Sequence, residues 1–111
     1  MAENPVLVDI DARGVATVTL NRPEVNNAYN GDMIDTLLEG MEVLANDDKV
    51  RVIVLRGAGK HFQAGADLSW LLDVSSKSPE ENLEVSRRTG RVVHMLDVCP
   101  KPTIAVVQGF C

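Results

Sequence analysis

The sequence has no apolar run of membrane-spanning length. Its longest, Val52 to Leu55 and Ile104 to Val107, fall far short of the ~20 residues that a bilayer-crossing helix needs, so no membrane partner is expected. It has no excess of positive charge. A formal net charge of −5 and a pI near 4.9 argue against a broad phosphate-binding face and therefore against nucleic acid; a local basic spot for one anionic cofactor is still compatible with them. Cysteine is scarce. Cys99 and Cys111 show no metal spacing and no partner cluster. They can pair on paper, but reduced thiols in a cytoplasmic protein are the expectation, with a matrix-type organelle after loss of a transit peptide as the other reading. Met1-Ala2-Glu3-Asn4-Pro5 offers neither a basic n-region nor an apolar h-region, so no signal peptide is expected. His61 and His94 have no acidic companion at ligand spacing, which favours surface or half-buried side chains, and no metal site is expected.

What is present suits one small α/β domain over residues 1–111, with an ordinary 45% apolar content. Val6 to Ile10 and Val15 to Leu20 read as strands about an Ala12-Arg13-Gly14 turn, where Gly14 can take positive φ. Pro23 ends the hairpin. Asn30 suits an N-cap, and Asp32 suits the positive end of a helix dipole. Ile34, Leu37, Leu38, Met41, Leu44 and Ala45 recur at helical spacing and form one apolar face. Asn46-Asp47-Asp48 stops that helix. Val50 to Leu55 is a β-branched run that reads as a buried strand. A loop covers Gly57 to about Asp67, with one helical turn over Leu68 to Leu72. Ser78-Pro79-Glu80-Glu81 combines a serine cap, a proline at N1 and a glutamate at N3, and starts a helix that runs to about Asp97. Thr103 to Val107 reads as another buried strand. The order β-β-α-β-α-β implies layered α/β structure with right-handed crossovers. Gln108-Gly109-Phe110-Cys111 follows the last strand at once, so on pattern a chain continuing past Cys111 is expected.

The segment that calls for a chemical explanation is Arg56-Gly57-Ala58-Gly59-Lys60-His61-Phe62-Gln63-Ala64-Gly65-Ala66-Asp67-Leu68. Gly59 and Ala64 to Ala66 leave the backbone bare between a strand and a helix start. Bare N–H groups in that position can hold an anion or a developing oxyanion. A P-loop would need glycine where Val54 stands, and a dinucleotide fingerprint would need it where Phe62 stands. A plain turn with Asp67 as N-cap explains the pattern equally well.

Three segments resemble one family. Phe62-Gln63-Ala64-Gly65-Ala66-Asp67-Leu68 is similar to the F-x-A-G-A-D-[LI] signature of the enoyl-CoA hydratase/isomerase (crotonase) family. Leu20-Asn21-Arg22-Pro23-Glu24-Val25-Asn26-Asn27-Ala28 resembles its L-N-R-P…N-A segment, and Lys101 to Gly109 its K-P-[TV]-I-A-x-[VI]-x-G strand. They stand in the family's order, and the likeness covers the whole chain. It implies the N-terminal part of a ββα spiral whose helical C-terminal region forms trimers or dimers of trimers. The substrate would be an acyl-CoA thioester, with coenzyme A as part of the substrate and no prosthetic group. The Ala66 N–H would be one of two oxyanion donors. The Ala64 backbone would meet the adenine ring. Glu24, Val25 and Ala28 would line the CoA groove, with Asp67, Leu68 and Ser69 beside the thioester. The second donor, a glycine in a G-G-G run, and the acid/base glutamates would follow Gly109, beyond these residues. The 111-residue chain is therefore expected to be inactive alone. Asp67 to Leu71 and Ser78 to Leu83 look most like the methylglutaconyl-CoA hydratase branch of leucine and isoprenoid catabolism. Isomerisation, thioester hydrolysis and dehalogenation on the same scaffold, and a non-catalytic CoA-binding or assembly module, are the alternatives.

Among the other side chains, Trp70 suits either an acyl-pocket wall or simple packing. Arg87, Arg88 and Arg91 suit a solvated helix face better than a CoA phosphate site. Lys60, in the loop, is the better phosphate candidate. Glu80, Glu81 and Glu84 read as helix-start residues rather than catalysts.

Overall fold

A computed structural model describes residues 4–109; the expectations resting on the first three residues, Phe110 and Cys111 lie outside the described residues. β1 (Val6–Ile10) and β2 (Val15–Leu20) pair antiparallel, from Val6↔Leu20 to Ile10↔Ala16. The Asp11 carboxylate closes their turn by accepting the N–H groups of Arg13 and Val15 at 2.8 and 3.1 Å, and Gly14 takes φ +85° as its position requires. Along β2 the alternation is strict: Ala16, Val18 and Leu20 are buried, and the residues between them are half-exposed. That is the signature of a sheet with one covered face.

The cover is α1 (Gly31–Ala45). Asn30 caps it, its side-chain oxygen accepting from the Met33 N–H at 3.0 Å. The expected stripe is the buried one, with Met33 joining it and Ala45 remaining half-buried at its end. These side chains meet Val6, Ala16, Val18, Leu20 and Ile53 in one aliphatic core.

β3 spans Val52–Gly57, two residues later than the apolar run suggests. Val50 is buried but belongs to the preceding turn, its N–H bonded to Asp47 O at 3.0 Å, while the Arg51 N–H goes to Gly14 O at 2.7 Å. Burial of Val50 serves the core, not the ladder. β3 then runs parallel to β2 from Val15↔Val52 to Leu20↔Gly57, so the two strands end side by side.

α2 (Leu68–Ser75) is longer than the single turn expected. α3 (Pro79–Val98) begins with the full capping box, Ser78 Oγ accepting from the Glu81 N–H and Glu81 Oε1 from the Ser78 N–H. β4 (Thr103–Val106) adds parallel to β3 and completes a sheet ordered β1-β2-β3-β4. Arg88 bonds Asp35 and Arg91 bonds Glu42, tying α3 to α1. Arg88 and Arg91 keep 43% and 63% of their side-chain surface open, in keeping with a solvated helix face, and each also meets a carboxylate on the neighbouring helix. Arg87 is exposed.

β4 departs from the buried strand its composition suggests. All four of its residues are exposed, and Ile104, Val106 and Val107 each leave about half their surface open. In register, Ile104 and Val106 share the face of Val54, which is half-buried, and Arg56, which is exposed. The total accessible surface is 7000 Å², against roughly 6,000 Å² for a folded monomer of this mass. An unpaired, apolar sheet edge of this kind is a pairing template. The 111-residue chain studied alone is therefore expected to self-associate in analytical ultracentrifugation, and lysine at both 104 and 106 to reduce that association; a compact, cooperatively unfolding monomer would contradict this.

Candidate active site

β2 and β3 end together, and the loops leaving them converge there. The contact is tight at Gly57, where a Cβ would lie 2.4 Å from Phe62 O and 2.8 Å from the Asn27 amide nitrogen. Only glycine fits. The Ala58 N–H donates to Leu20 O at 2.8 Å, and the Gln108 side chain donates to Gly57 O at 2.6 Å. The loops after β2, β3 and β4 are thus joined at one end of the sheet, where parallel sheets carry their ligand sites.

After β2 the chain makes a 3-10 turn, Pro23–Val25, then two successive left-handed residues, Asn26 at φ 54° and Asn27 at φ 60°. Asparagine tolerates that conformation better than most residues. Asn27 is fully buried, and both polar atoms of its side chain are hydrogen-bonded. Its oxygen accepts from the Arg22 N–H at 2.8 Å, and its amide donates to Ala58 O and His61 O, both at 2.9 Å. One side chain therefore joins the first loop to two points on the second.

The two loops also meet through backbone. The Tyr29 N–H donates to Gly65 O at 2.9 Å, and the Asp67 N–H donates to Tyr29 O at 2.8 Å, making an isolated parallel bridge between Tyr29 and Ala66. In such a bridge the residue at the centre of the partner segment turns its own N–H and C=O away from the pairing. Around it the amides are occupied: Gly65 N–H bonds Gln63 Oε1 at 3.0 Å, and the N–H groups of Ser69 and Trp70 bond Asp67 Oδ1 at 2.9 and 3.2 Å. The Ala66 N–H makes no hydrogen bond to any described residue. It is a half-buried donor held on both sides and left open. That arrangement can bind a carbonyl oxygen and stabilise charge developing on it.

Asp67 is both N-cap and clamp. Its second oxygen meets the Arg22 guanidinium at 3.0 Å, and the same guanidinium donates to Ala28 O at 2.6 Å. Both charged side chains are mostly shielded, 18% exposed for Arg22 and 16% for Asp67. The Trp70 N–H, then the Arg22 guanidinium, hold the Asp67 carboxyl below its ordinary range. It is an anion serving its own loop.

Glu24 and Val25 stand exposed on the 3-10 turn, and Ala28 is buried behind them, linked to Asp67 through Arg22. Ala64 is exposed, and Leu68 and Ser69 are exposed at the start of α2. Trp70 packs edge-on against Tyr29, ring centres 5.7 Å apart, and also walls a cavity of about 120 Å³ with Gly31, Ile34 and Val85. A larger apolar cavity of about 310 Å³ lies between the sheet, α1 and α3, reaching Tyr29, Phe62 and Gln63. Lys60 and His94 are exposed, and His61 is half-buried. Among the described residues no group of His, Cys, Asp and Glu is placed to hold a metal. Sequence reasoning missed Arg22, Asn27, Tyr29 and Gln63 as the residues that shape the site. The Asn26-Asn27 pair was the available signal, since left-handed backbone is where asparagine is favoured.

The sequence model of the family described as enoyl-CoA hydratase/isomerase matches residues 11–111. The chain is 39% identical over 98 residues to the 1,2-epoxyphenylacetyl-CoA isomerase of Escherichia coli, covering 87% of this chain and 37% of that protein. It is 31% identical over 110 residues to the small ribosomal subunit protein mS47 of Schizosaccharomyces pombe, covering 98% and 26%. The crystal structure of an enoyl-CoA hydratase from Shewanella pealeana superposes with a TM-score of 0.90 at 33% identity, over 95% of this chain and 39% of that one. The chain thus spans well under half the length of each.

Replacing Asn27 by alanine strands three hydrogen-bonding groups and puts a less tolerant residue at φ 60°. A loss of about 3 kcal/mol in urea-unfolding free energy is expected. The Asp67 carboxyl gives a pH signature. Its folded pKa lies below the ordinary value of about 3.9, so its contribution to stability is complete above that value and is lost as the pH falls through the lower, folded-state pKa. The melting-temperature gap between wild type and Asp67→Asn should accordingly be constant near neutrality and close in acid.

Proposed function

The chain belongs to the enoyl-CoA hydratase/isomerase family, and from that premise we propose that the protein hydrates a 2-enoyl-CoA thioester with the Ala66 N–H as one of its oxyanion donors. The observation that carries this reading is the open Ala66 amide between two bridged neighbours. A thioester oxygen accepting from it becomes more negative as water adds to the β-carbon and the electron pair moves through the double bond to oxygen. A fixed donor favours that enolate over the ground state. One carboxylate takes the proton of the attacking water, and another returns a proton to the α-carbon. The family resemblance puts the second donor and these carboxylates after Gly109, outside the described residues.

Binding follows the same placement. Glu24, Val25 and Ala28 line the CoA groove, the Ala64 backbone meets the adenine ring, and Asp67, Leu68 and Ser69 flank the thioester. The exposure of Glu24, Val25, Ala64, Leu68 and Ser69 is consistent with contact to a large ligand. The acyl group proposed is 3-methylglutaconyl, on the resemblance of Asp67 to Leu71 and Ser78 to Leu83. Assembly as a trimer or dimer of trimers in the cytoplasm belongs to the same reading. A second reading, a non-catalytic CoA-binding or assembly module, draws support from the relative named as a ribosomal subunit protein. Isomerisation draws support from the one named as an isomerase.

Replacing Ala66 by proline deletes the donor. In the complete protein kcat for a 2-enoyl-CoA is expected to fall ~10²–10³-fold, with CoA thioester affinity much less affected. Equal losses in both would mean that the loop only holds the cofactor. The same spectrophotometric assay should detect no hydration by residues 1–111 alone, and no turnover by the complete protein would favour the non-catalytic module.

A further inference from the structure

We propose that Gln63 is a positioning residue that sets the direction of the Ala66 N–H, an inference that rests on the reading of this loop as a thioester site. The Gln63 amide grips residue 65 from both sides. Its Oε1 accepts from the Gly65 N–H at 3.0 Å, and its Nε2 donates to Gly65 O at 3.0 Å and to Asn27 O at 3.3 Å. An oxygen facing an N–H and a nitrogen facing two carbonyls satisfy the donor and acceptor ends of the side chain at once.

The consequence follows from peptide planarity. Gly65 C=O and Ala66 N–H belong to one rigid unit and point in opposite directions. Gly65 O receives two donors, Tyr29 N–H and Gln63 Nε2. Whatever fixes that oxygen fixes the N–H on the other side of the plane. The constraint is needed because Gly65 sits at φ +90° with nothing within 4 Å of where a Cβ would be. A glycine in open space rotates readily, and a flipped 65–66 peptide would present a carbonyl where the thioester oxygen needs a donor. Tyr29 alone supplies one bond to that oxygen; Gln63 supplies the second and also holds the preceding amide. Gln63 is half-buried and lines the apolar cavity together with Phe62 and Leu55.

The test uses the complete protein carrying Gln63→Met, which fills similar space without hydrogen bonds, and Gln63→Ala. The probe is a conjugated dienoyl-CoA, whose absorption band moves to longer wavelength when donors polarise its carbonyl. The expected result for Gln63→Met is loss of most of that band shift and a roughly ten- to hundredfold fall in kcat for a 2-enoyl-CoA, with KM little changed. Hydrogen exchange should speed up at the Gly65 amide while the amides of β2 and β3 keep their protection. Gln63→Ala should behave likewise. A Gln63→Met protein with the wild-type band shift and kcat overturns the role of Gln63, as does a loss of kcat matched by equal losses of binding and of melting temperature. A wild-type protein that neither shifts the band nor turns over enoyl-CoA overturns the thioester reading itself, and the proposal with it.

Discussion

Everything in the candidate site hangs on the backbone bridge between Tyr29 and Ala66. Its two hydrogen bonds, 2.9 and 2.8 Å long, are the only ladder-type pairing outside the sheet among the described residues. They pin the two loops together at the point where the Ala66 amide is left open. They also sort the amides of the second loop by use, since pairing engages Asp67 N–H and Gly65 C=O and turns the intervening N–H outward. Supporting contacts surround the bridge. Asn27 binds the loops on one side, and the Arg22–Asp67 pair binds them on the other. The shielded pair also engages Ala28 O and the first amides of α2, so both of its side chains are held in one arrangement.

These restraints explain why the loop can be rich in small residues without being loose. Bare backbone is needed where a ligand approaches, and bare backbone is costly to order. Here the ordering is done by side chains on the loop's margins, Arg22, Asn27, Gln63 and Asp67, rather than by the small residues themselves. The helix start is part of the same device. Asp67 caps α2 with one oxygen and clamps Arg22 with the other, so the position of α2 and the geometry of the first loop are not separable.

The elements with local causes were legible in the sequence. The hairpin, the Asn30 cap and the Ser78 capping box each depend on residues within a few positions of one another, and they stand where the sequence puts them. β3 was misplaced by two residues because Val50 is apolar for burial rather than for pairing, and periodicity does not separate those two causes. The sequence identified the 64–69 segment by its small residues and its family likeness. It did not reveal the wiring. Asn27 reaches His61, and Arg22 reaches Asp67, across long sequence separations, and each bond goes to a backbone or carboxylate group that no spacing rule marks. Nor did composition reveal that β4 would lie open, since burial of an edge depends on what packs against it.

The distribution of the core along the chain has a bearing on synthesis. Among the described residues every buried apolar side chain but one lies between Pro5 and Ile53, and the exception is Val92. The first three strands and α1 therefore hold nearly the whole core before α2, α3 and β4 are made. Pairing among β1, β2 and β3 uses no residue beyond Gly57, so every partner in that part of the sheet has been synthesised by then. The loop that carries Ala66 is the next segment to follow, and its bridge partner, Tyr29, lies in the part already made.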